Sequence, residues 1–294
     1  MAFLLAPRVL LAGPTVTDDL GRRIELAAPA QRVIPLYSGL GEMISAMGLA
    51  DRLVARTSAE DWPAGAETRP AIGTHMRPNL ELILGLRPDL VLQLAGREGG
   101  LLAAEDLRRH GILVAVFAID DFASLFSAME RIGVLLGAEG AARQEAEGIK
   151  ARLAAVDAAL AGLERRPSVF FEVRYPNLLA AGQGSMVSEV IRRAGGENLV
   201  RDGKKLVRLS EEALMGLNPE AYLVQRGPMN PSPVSPEQRS HFRTLAAVRQ
   251  DRVLMVEEAV FSRPGPRSVQ AVEELAAFLH PERFKQPSKD GQSK

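Results

Sequence analysis

Between Gly137 and Arg166 the chain reads GAEGAARQEAEGIKARLAAVDAALAGLERR, free of proline and dense in Ala, Arg, Glu, Gln and Lys. Such residues lose little rotamer freedom in a helix, so propensity favours helix along nearly the whole stretch. Ile149, Leu153, Val156, Leu160 and Leu163 recur at alternating steps of four and three, which draws one narrow apolar stripe. Gly137 precedes the run, and Arg165, Arg166 and Pro167 supply a cationic end and then a breaker. About 25 residues of helix span roughly 37 Å, the width of a small domain. Strand-and-helix patterns flank the stretch on both sides, so it predicts a strut between two lobes; a long helix inside one domain is the alternative.

At 294 residues the chain is long enough for two ordinary domains, and its hydrophobic fraction of 46% is that of a globular protein. Lys+Arg and Asp+Glu both total 36, so no global field draws it towards nucleic acid or an anionic membrane. The basic side is nearly all Arg, the residue suited to bidentate recognition of anions. Absence of Cys excludes thiol catalysis, cysteine-ligated clusters, disulfides and a lipid-modified cysteine in this chain. The opening MAFLLAPRVLLAGPTVT is apolar but broken by Arg8, too short to span a membrane and without a cationic start. Residues 1–14 are therefore expected to be a secretory-signal remnant or a disordered lead, and the polar 285–294 a disordered tail.

From Thr15 onwards strands and helices alternate. Thr15 to Leu26 predicts a hairpin, Arg32 to Leu36 a strand, Gly39 to Met47 a helix and Leu53 to Thr57 a strand. A loop through Trp62-Pro63 to Arg77-Pro78 follows. Next come a helix over Asn79–Leu86 capped by Asn79, a strand over Asp89–Gln93, and a helix over Gly99–His110. A strand over Ile112–Ala118 and a helix over Phe122–Leu136 complete the first half. After the long helix the pattern resumes with Ser168–Val173 as strand, Ser185–Ala194 and Ser210–Leu217 as helices, and Ala221–Gln225 as strand. The Pro-rich Met229–Pro236 is a loop, Arg252–Val256 a strand and Arg267–Leu279 a closing helix. Such alternation indicates parallel sheets covered on both faces.

Two echoes recur in the same order on either side of the long helix. Glu81-Leu-Ile-Leu-Gly-Leu-Arg-Pro88, ending at Gln93, resembles Glu212-Ala-Leu-Met-Gly-Leu-Asn-Pro219, ending at Gln225. Glu42-x-Ile44 with Gly48 and Leu53-Val54 likewise matches Glu189-x-Ile191 with Gly195 and Leu199-Val200. Duplicated lobes explain two ordered matches better than coincidence does.

Little in the chain points to catalysis. Ser38-Gly39-Leu40-Gly41 follows a strand and opens a helix, which is half of a dinucleotide fingerprint; Ile44 occupies the third glycine's place, and a tight turn explains it equally. No Gly-x-Ser-x-Gly elbow occurs, and Ser38 and Ser185 read as helix starts. The four histidines, His75, His110, His241 and His280, lack metal-ligand spacing; His75 stands apart by lying in a loop where ligands approach. Tyr37, Arg97, Arg174, Tyr175, Arg226, Phe261 and Arg263 fall at the predicted carboxyl ends of strands, beyond which open parallel sheets bind ligands. Arginines and aromatics gathered there suit a large, planar or anionic ligand, although each arginine alone reads equally as solvated surface.

Arg32-Val-Ile-Pro-Leu, then Glu42, Met47-Gly48-Leu and Leu53-Val54, resembles the opening of the class III periplasmic substrate-binding proteins that serve ABC importers of ferric siderophores, haem and cobalamin. Asn79-Leu-Glu-Leu-Ile with Leu86-Arg-Pro-Asp-Leu-Val, Ala194-Gly-Gly-Glu-Asn198, and Ser210-Glu-Glu212 with Leu217-Asn-Pro are similar to further motifs of that family, and the similarity extends from about residue 15 to 283. The resemblance implies an α/β fold of two doubly wound lobes, 15–136 and 167–284, joined by one long helix over 137–166, with the ligand cleft between them. It implies a non-catalytic, periplasmic, monomeric protein without cofactor, whose partners are a small-molecule metal chelate and the transmembrane subunits of an ABC permease. Nucleic acid and direct membrane insertion are not expected.

Carried over position by position, the resemblance implies that Glu81 and Glu212 dock to permease arginines. It places His75 where cobalamin-binding relatives have an aromatic cleft residue and Arg263 at a cleft arginine, while Leu94 replaces another aromatic. Tyr37, His75, Arg97, Arg174, Tyr175, Arg226, Phe261 and Arg263 are the expected ligand contacts, with no residue assigned to ligate metal directly. Because arginines outnumber aromatics in that set, a ferric siderophore ranks first, a corrinoid second, and a molybdate-type oxyanion or haem after them. The competing expectation from another class is a cytosolic α/β enzyme that uses the Ser38–Gly41 turn for a nucleotide.

Overall fold

The computed structural model describes residues 13–58, 65–96 and 98–284. Most of the predicted lead, the Trp62-Pro63 loop, Arg97 and the predicted tail lie outside the described residues. The chain divides into two compact units, one of 1–118 and 128–143, the other of 119–127 and 144–294. No described helix is long and apolar enough to cross a membrane.

The first unit opens with a hairpin of β1 (Thr15–Thr17) and β2 (Arg23–Glu25), then β3 (Val33–Pro35) and α1 (Ser38–Ala46). A two-stranded ribbon of β4 (Gly73–Thr74) and β5 (Arg77–Pro78) precedes α2 (Leu80–Leu86), β6 (Leu90–Leu94), α3 (Glu98–Arg109) and β7 (Val114–Phe117). Strands β3, β6 and β7 form a parallel sheet in that order, with Val33 opposite Leu90 and Leu92 opposite Ala115. Their apolar runs are buried from both sides, as a parallel sheet requires: Ile34, Val91, Val114 and Val116 pack against Ile83 and Leu107. The predicted strand at Leu53–Thr57 reduces to isolated bridges at Leu53 and Arg56.

Helix α4 (Phe122–Leu136) ends at Gly137, whose φ of 61° closes it, and α5 (Glu139–Ala159) follows at once. The division between units crosses both helices, since Ile119–Ser127 groups with the second unit; the sequence predicted a single crossing. Within α5 the stripe residues Ile149, Leu153 and Val156 are buried. The helix stops seven residues before the predicted Arg166, and Leu160 and Leu163 belong to the turn that follows. Gly162 accounts for this: it adopts φ 72°, a left-handed conformation that ends helices at low steric cost.

The second unit continues with β8 (Ser168–Arg174), β9 (Leu179–Ala181), α6 (Met186–Arg193), β10 (Glu197–Asn198), β11 (Leu206–Arg208), α7 (Glu211–Leu217) and β12 (Ala221–Arg226). After the Pro-rich loop come α8 (Ala246–Arg249), β13 (Val253–Glu257), α9 (Glu258–Phe261), α10 (Ser268–Leu279) and α11 (Pro281–Phe284). Strands β8, β12 and β13 are parallel neighbours, with Phe170 opposite Tyr222 and Leu223 opposite Leu254. The sheet is mixed rather than wholly parallel, because β9 pairs antiparallel with β8 and β11 pairs antiparallel with β9. Those two strands carry three residues each and fall below what periodicity can detect.

The two echoes are also echoes in hydrogen bonding. Asn79 and Ser210 cap α2 and α7 by accepting from the amides of Leu82 and Ala213, at 3.0 and 3.1 Å. Both helices end on a non-glycine residue in the left-handed region, Arg87 at φ 47° and Asn218 at φ 44°. The carboxylate after each proline ties down the start of the neighbouring strand: Asp89 accepts from the Gln31 and Arg32 amides, and Glu220 from the Ser168 amide. Gly48 and Gly195 end α1 and α6 with φ of 76° and 78°.

Candidate functional site

In the first unit the carboxyl end of β3 delivers Tyr37, the cap residue of α1, and the β4–β5 turn delivers His75. The two half-buried rings meet edge to face, with centroids 5.8 Å apart and planes at 84°, a favoured aromatic geometry. The backbone of that turn is held from below by Gln93 of β6, a fully buried residue. Its side-chain amide donates to the His75 carbonyl at 2.9 Å and to the Gly100 carbonyl at 3.1 Å. Gln93 was not singled out for this role in the sequence, although a glutamine closing a buried apolar strand must find partners. Arg97 lies outside the described residues. The Ser38–Gly41 stretch is buried as the first turn of α1. Glu81 is exposed in the first turn of α2.

In the second unit Arg174 ends β8 at a bulge, where Glu172 pairs with Ala180 and Arg174 with Leu179, and bulges re-aim side chains. Its Nε is buried without a hydrogen-bond partner among the described residues. Tyr175 donates its hydroxyl to Glu211 of α7 at 2.8 Å, and the Arg239 guanidinium lies 3.8 Å above its ring. That bond to Glu211, with partial burial behind it, raises the Tyr175 hydroxyl above the ordinary tyrosine range. Arg226, at the exposed end of β12, is ion-paired with Glu257 at the end of β13.

Phe261 and Arg263, expected among the ligand contacts, are both buried. Phe261 is 1% exposed and stacks on Phe171 with centroids 6.4 Å apart. Its ring is core, because α9 turns it inward directly after β13. Arg263 is buried beside Glu258 at 3.9 Å. Glu258 also accepts from the Gln225 side-chain amide at 3.0 Å and the Met229 amide at 2.8 Å, so a buried carboxylate organises this corner. Gly227 permits the approach: a Cβ there would stand 2.4 Å from the Glu258 Cβ. Glu212 is exposed in the first turn of α7; hydrogen bonds from its own amide and the Ser210 hydroxyl hold its carboxyl below the usual range. Neither Glu81 nor Glu212 forms an ion pair with a described residue.

The most consequential group missed by sequence reasoning is the buried triad of Glu172, Arg239 and Tyr222. Glu172, fully buried in β8, accepts a fork from Arg239, Nη1 to Oε2 at 2.6 Å and Nη2 to Oε1 at 2.8 Å. The Tyr222 hydroxyl donates to it at 2.6 Å, and burial, then the Glu172 charge, drives that hydroxyl well above the ordinary range. A glutamate inside SVFFEVR signals that a cation must be nearby, since an unpaired buried charge is prohibitive. Ser185, by contrast, is the cap of α6, accepting from the Ser188 amide at 3.3 Å. No group of three or more His, Cys, Asp or Glu side chains able to hold a metal ion occurs among the described residues.

The chain is 28% identical over 280 residues to an uncharacterised ABC transporter substrate-binding lipoprotein, YvrC, of Bacillus subtilis, covering 92% of this chain and 87% of that protein. It is 26% identical over 258 residues to the vitamin B12-binding protein of Vibrio cholerae, covering 85% and 90%. The solved periplasmic vitamin B12-binding protein BtuF of Vibrio cholerae superposes with a TM-score of 0.74 at 24% identity, over 87% of this chain and 99% of that one. These likenesses agree with two α/β units built on parallel strands. The Periplasmic binding protein family matches residues 33–260, and the chain belongs to that family, whose members similar to it are substrate-binding proteins of ABC transporters rather than enzymes.

Proposed function

We propose that the protein is the extracytoplasmic capture component of an ABC importer and that its ligand is a corrinoid of the cobalamin class, delivered to a membrane permease. One observation carries the choice of ligand over the ferric siderophore ranked first from sequence. That ranking rested on counting arginines, yet Arg226 is paired with Glu257 and Arg263 lies beside Glu258, so two of the cations face carboxylates rather than an incoming anion. A face so neutralised favours a large, amide-rich and weakly charged ligand over a highly anionic ferric chelate. The vitamin B12-binding relative, similar over 85% of this chain, supports the same choice. Tyr37, His75, Arg174 and Tyr175 are the proposed contacts, Phe261 and Arg263 leave that set because both are buried, and Glu81 and Glu212 are the proposed permease contacts.

The test is native mass spectrometry with visible spectroscopy after desalting, on protein exposed to cyanocobalamin, haemin, a ferric tris-catecholate and a ferric tris-hydroxamate. A one-to-one cyanocobalamin complex that keeps its absorption is expected. Retention of a ferric chelate with release of cyanocobalamin would return the ligand class to siderophores, and retention of none would overturn the capture function.

A further inference from the structure

We infer that Arg239 is a positioning residue that sets the Tyr175 ring for ligand, an inference that rests on Tyr175 being a contact of the proposed site. Three independent restraints converge on its guanidinium. Its fork grips both oxygens of Glu172, which is rooted in the middle of β8 and so moves only with the sheet. The same Nη2 donates to the Val234 carbonyl, which ties the Pro-rich loop to the sheet. Its planar face lies 3.8 Å over the Tyr175 ring and 5.2 Å from the Phe242 centroid, so the ring of Tyr175 has a charged ceiling. Phe242 closes on Tyr175 from a second side, with centroids 5.8 Å apart at 67°. At the far end of the ring the hydroxyl is held by Glu211, the residue before the proposed docking glutamate Glu212.

Tyr175 is thus fixed at its face by Arg239 and at its tip by α7, while Glu172 supplies the anchor and never itself reaches ligand. Pre-organising an aromatic contact spares its ordering cost when ligand arrives. Lysine carries the same charge but lacks the planar fork, so it cannot hold both Glu172 oxygens and cover the ring together.

The experiment is a double-mutant cycle between Arg239→Lys and Tyr175→Leu, read as the dissociation constant for cyanocobalamin by calorimetry. Each single variant is expected to weaken binding about tenfold, and the double variant little further, because misplaced and missing rings are equivalent. Near-UV circular dichroism of the free proteins supplies a second reading: the signal lost in Tyr175→Phe should also be lost in Arg239→Lys. Because Tyr222 also rests on Glu172, both spectra are taken in a Tyr222→Phe background, where Tyr37 and Tyr175 are the tyrosines that remain. Should Arg239→Lys not fold, the charge-free pair Glu172→Gln with Arg239→Met takes its place in both measurements. Affinity within twofold of wild type, or fully additive losses, would overturn the inference. If wild type fails to bind cyanocobalamin the ligand assignment falls, and a Tyr175 signal unchanged in Arg239→Lys would still refute the positioning role.

Discussion

Gly48 and Gly195 are the same element of the internal repeat, and alanine at each should separate backbone strain from crowding. Both close a helix in the left-handed region, at φ 76° and 78°. Their hydrogen bonds correspond: Leu49 donates to the Ile44 carbonyl at 3.1 Å, and Gly196 to the Ile191 carbonyl at 2.9 Å. A Cβ in this conformation costs about 1–2 kcal/mol, from which the stiffer unfolded chain returns about 0.4–1 kcal/mol. At Gly48 nothing lies within 4 Å of the added carbon, so Gly48→Ala should cost only the difference, about 1 kcal/mol. At Gly195 the carbon would stand 2.8 Å from His280 Nε2 and 3.1 Å from both Leu160 Cδ1 and Leu163 Cδ2. Displacing these well-packed groups adds roughly 1–3 kcal/mol, which brings Gly195→Ala to about 2–4 kcal/mol. Because two compact units need not unfold in one transition, urea denaturation should be accompanied by hydrogen exchange resolved by unit. Truncating the obstacle in Gly195→Ala/His280→Ala should make that glycine substitution cost less than it does with His280 present. Equal costs for Gly48→Ala and Gly195→Ala, within about 0.5 kcal/mol, would refute the crowding argument.

His280 provides a pH test. Burial pushes its imidazole below the ordinary histidine value, against the pull of the Gly195 carbonyl and Glu282. Since the folded pKa is the lower one, folded and unfolded states are both neutral at pH 8; as pH falls below the unfolded value the unfolded chain takes the proton first and stability declines. His280→Asn should flatten the urea-midpoint profile between pH 8 and 5, and an unchanged slope would remove His280 from the account. The docking proposal predicts that Glu81→Lys/Glu212→Lys captures cyanocobalamin with wild-type affinity while failing to stimulate ATP hydrolysis by its reconstituted permease. Both side chains are exposed, so the fold should be retained, and undiminished stimulation would sink the assignment.

What could be read from the chain divides by range. Helix α4 is found over the predicted Phe122–Leu136, and the caps Asn79 and Ser185 act where the sequence places them, because each is settled within a few residues, whereas Ser38 stands one residue inside α1, whose cap position is Tyr37. Gly162 is equally local, but the strong helix propensity of the residues around it masks the stop. The echo between Glu81–Gln93 and Glu212–Gln225 shows where letters mislead. Val33 opposite Leu90 and Val169 opposite Ala221 make Val224, one residue before Gln225, the counterpart of Gln93 in the repeat. A one-residue slip in a strand reverses the face, so the two glutamines that looked equivalent serve different surroundings: Gln93 holds the His75 turn, whereas Gln225 holds Glu258. The site pairs lie beyond any local rule. Glu172 inside an apolar strand demands a cation, but its partner stands 67 residues later in a loop that no period describes. Arg226 ends β12 as expected, whereas Arg263 lies beyond α9; whether either cation can take ligand depends on Glu257 and Glu258, which β13 and α9 carry alongside only once the chain has folded. An arginine count therefore measures the capacity of this face for anions before neutralisation, and the fold decides how much of that capacity survives.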